Sequence, residues 1–305
     1  MKRTKSAVPL GFTNPIALPV DESEQQVWQQ HNRNWWQEHP MRYDWNAPIP
    51  FAEFSQEFYV EIDRRFYNAV SLFAPWKNIP FDSFIDFPSL KTKDVLEIGC
   101  GNGSHAQLLA THAKSYTGID LTDYAVKSAS FRLTLWGLNG KAQKMDAEQM
   151  QFPDNSFDLI WSWGVIHHSA NTQRIVKEMN RVLRPGGRAI IMVYYRSFWS
   201  YYAAGALLTI LRGKFPTIAM IHESKQLATD GAIARYYKPR DFRRLVAGQF
   251  DVDSIRIYGQ KESLVFLPGG RLKQFILRLI PNSLSRFLST NCRMGSFLVS
   301  AITKP

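Results

Sequence analysis

Residues 94–110 read DVLEIGCGNGSHAQLLA: an apolar run, then Gly99, Gly101 and Gly103 at alternate positions, then the start of an amphipathic stretch. This pattern predicts a buried strand, a tight turn and a helix. A turn with so little side chain lets the main chain approach a ligand closely, and its N–H groups with the helix start favour a negative group. A dinucleotide fingerprint would put the third glycine at position 104, which is Ser. A phosphate-binding loop would need Gly-Lys-Ser/Thr, which is absent. Taken alone, the turn leaves several cofactors open.

The same rhythm continues outward. DVLEIG, SYTGID (115–120), FDLIWSW (157–163) and GGRAIIMVYY (186–195) read as buried strands, with AQKM (142–145) a shorter one. Between them 104–113, 122–136 and 171–183 read as helices; in the last, Ile175, Met179, Val182 and Leu183 share one face. Strands alternating with helices imply an α/β fold, a parallel sheet covered on both faces. Residues 1–20 are Pro-rich and read as a flexible tail, and 21–90 as an aromatic-rich helical segment packed on the body. Residues 91–305 form the main domain, with insertions near 197–238 and 261–291.

Two cysteines, Cys100 and Cys292, exclude a disulfide framework and a cysteine zinc site, and fit a reducing, cytoplasmic setting. Pro9, Pro15 and Pro19 interrupt what would otherwise resemble a secretion signal. The net charge of +11 is uneven: residues 196–244 hold nine bases against three acids, and 263–305 hold six bases and no acid. Such a surface attracts anionic partners.

Two acids sharpen the reading of the turn. Asp120 ends SYTGID, where a carboxylate can accept ribose hydroxyls. Asp146 follows AQKM, where it can accept the amino group of an adenine ring. With VLEIGCGNG, GID, MDAE, FDLIWSWGVIHH and VLRPGG in this order, the chain resembles class I S-adenosylmethionine-dependent methyltransferases, in the broad group that includes ubiquinone and menaquinone biosynthesis enzymes. The resemblance is close over residues 93–195. It implies a Rossmann-like seven-stranded sheet whose last strand, near 296–303, runs antiparallel. It also implies S-adenosylmethionine as cofactor, with Gly99, Cys100, Gly101 and Gly103 against its methionine and ribose. Glu97 would hold the ammonium, Asp120 the ribose, Leu121 the adenine face, and Asp146 and Ala147 the adenine edge. Trp163 would lie beside the methionine end.

Transfer from a sulfonium needs a base only when the acceptor must lose a proton. His167, His168 and Tyr195, with Tyr194, are the candidates after the fourth and fifth strands; the histidines serve as base or shape the cofactor site. No third ligand stands near the histidine pair at metal spacing. The segment SFWSYYAAGALLTILRGKF is an apolar lid candidate. In RLKQFILRLI, residues Leu272, Phe275, Ile276, Leu279 and Ile280 form one face rimmed by bases, repeated in SLSRFLS. Such faces either lie on anionic lipid or pack on the protein's own core, and inward packing is the expectation. A small, anionic or amphiphilic acceptor follows. An RNA or nucleic-acid methyltransferase is the alternative, weakened by the absence of a [DN]PP[YF] or Pro-Cys motif. A nicotinamide-dependent dehydrogenase and a non-catalytic cofactor-binding subunit fit the motifs less well.

Overall fold

The computed structural model describes residues 14–44, 47–228, 231–267 and 270–305. The expected tail, 1–20, lies outside the described residues up to position 13. Helices α1 (Glu22–Glu38) and α2 (Gln56–Ser71) come first. Then follow β1 (Asp94–Ile98), α3 (Ser104–His112), β2 (Ser115–Asp120), α4 (Asp123–Leu135), β3 (Gly140–Lys144) and β4 (Phe157–Trp163). Next are α5 (Thr172–Val182), β5 (Leu183–Tyr195), α6 (Ala204–Leu211), α7 (Ile218–Ala228), β6 (Tyr236–Tyr237) and α8 (Pro239–Val246). The chain ends with β7 (Asp251–Tyr258), α9 (Arg271–Leu279), α10 (Asn282–Thr290) and β8 (Phe297–Thr303).

The sheet runs β3-β2-β1-β4-β5-β8-β7, with β6 paired to β5 off this path. The seven expected strands are therefore joined by an eighth, a two-residue one that aligns Tyr236 with Tyr194. β8 is antiparallel to both neighbours, as the resemblance implies. Alternation along β1 separates the two faces. Leu96 and Ile98 pack with Ile175, Met179 and Val182 of α5 and Phe242 of α8. Val95 packs on the other side with Ala106 and Leu109 of α3 and Phe66 and Val70 of α2. The predicted α5 ends one residue early, because Leu183 already begins β5.

The N-terminal helices start where their sequences provide caps. Asp21 accepts the Glu24 N–H and Ser55 accepts the Phe58 N–H, each satisfying an orphan donor. Helix α2 buries Phe58, Tyr59, Ile62, Phe66 and Val70 at helical spacing. It is tied to α4 by the Tyr59 hydroxyl donating to Ser128 O and by the Arg132–Asp63 ion pair. β1 lies between β2 and β4, so chain order reverses direction there. In such sheets the crevice at the strand tips beside that reversal is where ligands sit.

Candidate active site

The three turn glycines all have positive φ values that side-chain-bearing residues rarely adopt: +79° at Gly99, +50° at Gly101 and +81° at Gly103. The turn is fastened to the next strand, because the N–H groups of Gly99 and Cys100 both donate to Ile119 O. A methyl group built on Gly101 would meet nothing within 4 Å. The space beside it is open, as a cradle for a close-lying ligand requires.

That space belongs to a cavity of about 530 Å³, within the range that holds small ligands and cofactors. Gly99, Cys100, Gly101, Asp120, Leu121, Asp146, Ala147 and Trp163 line it, as do His168 and Tyr194. Gly103, Glu97, His167 and Tyr195 do not line it. The lining also includes the apolar side chains Phe66, Val70, Phe73, Met192 and Phe297.

The Asp120 carboxylate accepts at both oxygens: Oδ1 takes the Thr122 N–H and hydroxyl at 3.0 and 2.9 Å, Oδ2 takes the Gly101 N–H at 3.3 Å, and the Leu121 N–H adds a further bond. Burial raises its pKa, partly offset by the hydrogen bonds from Thr122 and Gly101. A pair of donating hydroxyls would relieve that penalty by hydrogen-bonding the charged form.

Asp146 is engaged from an unexpected direction. The Gln29 amide of α1 donates to both carboxylate oxygens at 2.9 Å, and the Glu148 N–H donates to one at 2.8 Å. Gln29 also accepts the Ala170 N–H. Asn32 accepts the Ile233 N–H and donates to His168 O, while Gln25 reaches Glu148. Helix α1 thus bridges the loops that follow β3 and β4. No local sequence signal marks these contacts, which join residues more than a hundred positions apart.

Glu97 lies beneath the cavity floor, 1% exposed. Its carboxylate accepts the Tyr116 hydroxyl at 2.5 Å and faces His105 Nδ1 at 3.3 Å. Burial raises its pKa, against the pull of His105 and Tyr116. His105 in turn lines the cavity, its ring set among Phe66, Phe81, Trp161 and Trp163. Sequence reasoning missed His105. The available signal was a basic residue in the first turn of a helix, where the helix dipole disfavours positive charge.

His168 holds its Nδ1 2.7 Å from Ile233 O, so in the neutral ring Nδ1 carries the hydrogen and Nε2 is the basic nitrogen. His167 is fully buried, and neither ring nitrogen has a hydrogen-bond partner among the described residues. Burial, with His168 and Arg235 nearby, holds its pKa well below 6.5. His222, paired with the Tyr201 hydroxyl at 3.0 Å, is pushed down to about 3, chiefly by burial.

A depressed histidine stabilises the fold fully above its unfolded pKa, and that contribution is lost as pH falls toward the folded value. The raised carboxylates Glu97, Asp120 and Glu148 act in the opposite sense. The histidine term is therefore isolated by comparing variants. Between pH 7 and about pH 5 the native chain should lose ~2 kcal/mol more stability than His222→Gln, read by urea unfolding. Equal losses would mean that His222 is not held neutral.

Residues 96–191 match a family model described as a methyltransferase domain. The 27-O-demethylrifamycin SV methyltransferase of Amycolatopsis mediterranei is 35% identical over 97 residues, 31% of this chain and 36% of that protein. The ubiquinone biosynthesis O-methyltransferase of Coxiella burnetii is 30% identical over 113 residues, 37% of this chain and 48% of that one. The phthiotriol/phenolphthiotriol dimycocerosates methyltransferase of Mycobacterium tuberculosis is 40% identical over 97 residues, 31% and 35% of the two chains. The matches thus span about a third to a half of these relatives. Among solved structures, the [4+2]-cyclase SpnF covers 96% of this chain and 99% of its own, with a TM-score of 0.53 and 14% identity. The MccD protein covers 74% and 96%, with a TM-score of 0.51 and 15% identity. These two likenesses extend to the fold.

Proposed function

We propose that this chain, whose residues 96–191 match a methyltransferase domain, is a class I S-adenosylmethionine-dependent methyltransferase that acts on a small or amphiphilic acceptor. The observation that carries the reading is one cavity whose lining combines an open glycine turn and the Asp120 carboxylate with the apolar side chains Phe66, Val70, Phe73, Met192 and Phe297. Relatives named for a demethylrifamycin, for ubiquinone biosynthesis and for phthiotriol dimycocerosates support an acceptor of this kind.

When bound, the cofactor supplies a methyl group already activated on a sulfonium, so the protein's main tasks are alignment and exclusion of water. Asp120 would accept the ribose hydroxyls, and the bare backbone at Gly99 and Gly101 admits close approach. Leu121 and Ala147 would flank the base, with Asp146 shared between it and Gln29. Helix α1 lines the cavity with Gln29, Asn32 and Trp36, and would shield the strand tips from water. His168 Nε2 is the nitrogen suited to take a proton where the acceptor carries a hydroxyl.

A fold of this shape also occurs in a protein described as a cyclase, so the test must read methyl transfer and not architecture alone. Calorimetry should show S-adenosylhomocysteine binding and no NADH binding; the reverse result would overturn the reading. Extracts incubated with isotopically labelled cofactor should then yield one compound that gains the label. Asp120→Ala should weaken S-adenosylhomocysteine by ~1–3 kcal/mol, because hydrogen bonds to a charged acceptor are lost. Unchanged affinity would remove Asp120 from the cradle.

A further inference from the structure

The C-terminal helices are turned against expectation. α9 exposes Leu272, Phe275 and Leu279 at 61–66% and buries only Leu277. α10 exposes Leu284 and Phe287 and buries Ser285 and Ser289. α6 repeats the inversion, with Gly205 and Thr209 buried while Ile210 and Leu211 face out, and the turn to α7 exposes Phe215 at 82%. Small residues form the contact between α6 and α7. A methyl group on Gly205 would stand 2.7 Å from Ile221, and the Thr209 hydroxyl donates to Ser224 Oγ at 3.0 Å. Small residues inside and large apolar ones outside is how helices pack when their surroundings are apolar.

The two inverted regions are joined. The six-residue helical turn before α6 (Phe198–Ala203) meets the turn Lys261–Leu264, against which α10 packs. Trp199 Nε1 donates to Leu264 O at 3.2 Å, and its ring stacks on Phe266. Gln260, Ser296 and Phe297, next to these elements, line the cavity. Residues 263–305 carry six bases and no acid, and Arg271 and Arg278 are exposed on the same helix as Phe275.

We propose that α6, α9, α10 and the α6–α7 turn form a surface that lies on a bilayer carrying anionic headgroups. Exposed apolar side chains enter the acyl boundary and the flanking bases meet the phosphates. Helices of eight and nine residues suit such lateral contact. No helix among the described residues is long and apolar enough to cross a membrane. A second copy of the chain is a poorer occupant, because a two-fold contact through this surface would set its bases against themselves.

The test is flotation of the full chain with phosphatidylcholine vesicles, with and without about one third phosphatidylglycerol, at low and high salt. Binding should require the anionic lipid and weaken with salt. Phe275→Glu with Leu279→Glu, and separately Leu211→Glu with Phe215→Glu, should each lower partition at least ~10-fold. Melting temperature and S-adenosylhomocysteine affinity should stay unchanged, which separates this outcome from failure of the methyl-transfer reading. The proposal is overturned by absence of flotation at low salt, by equal flotation of the variants, or by a dimer in light scattering that the substitutions dissolve.

Discussion

Arg235→Met should cost about 3–5 kcal/mol of folding stability, seen as a lower denaturant midpoint with an unchanged slope. Arg235 is fully buried, and its guanidinium donates to three main-chain carbonyls: Ala17, Ser169 and Ala170. Methionine fills much of the volume but leaves those carbonyls without the donor, at ~1–3 kcal/mol each before relaxation. Arg235→Lys should restore little, because an ammonium cannot reach three acceptors with a planar fork. The guanidinium also lies 5.8 Å from the centre of the Trp28 ring, so its removal loosens α1 as well. A loss below about 1 kcal/mol would show that Arg235 does not clamp the segment around Ala17 to the loop after His168.

Gly99→Ala should cost ~2–5 kcal/mol, from two separable sources. At φ +79° an alanine enters the left-handed region, a penalty of ~1–2 kcal/mol. Its methyl group would also stand 2.3 Å from one Val165 methyl and 2.8 Å from the other. Overpacking of that kind adds ~1–3 kcal/mol. In a Val165→Ala background the clash with the two Val165 methyls should be relieved, leaving the backbone part and the Val165 Cβ at 3.0 Å, with a coupling energy of ~1–3 kcal/mol in a double-mutant cycle. An additive cycle would mean that Val165 is not the obstacle.

The parts of this protein legible in its sequence are those set by local periodicity. DVLEIG, SYTGID and FDLIWSW become β1, β2 and β4 with boundaries within one residue, because buried parallel strands need short apolar runs between turns. The placement of the glycine turn, Asp120 and Asp146 around one cavity was legible for the same reason, since they sit at fixed offsets from strand ends. Other features depend on long-range contacts. Gln29 reaches Asp146 across 117 positions, and nothing about a glutamine in an aromatic-rich helix announces that role. The C-terminal helices fail differently. Spacing tells which residues share a face, and Leu272, Phe275 and Leu279 do, but not which way the face points. That direction is fixed by what the rest of the chain offers as a partner, and here α9 turns Leu277 inward and α10 turns Ser285 and Ser289 inward.

Helix α1, which is bonded to the loops after β3 and β4, carries Trp28, Trp35 and Trp36 within nine residues. Trp35 presses so closely on Gly231 that a methyl group there would stand 2.3 Å from its ring, and Trp36 forms part of the cavity wall. Any displacement of that helix changes the polarity around all three indoles together. The intrinsic emission of the unlabelled protein should therefore report any displacement of that helix when a ligand is added.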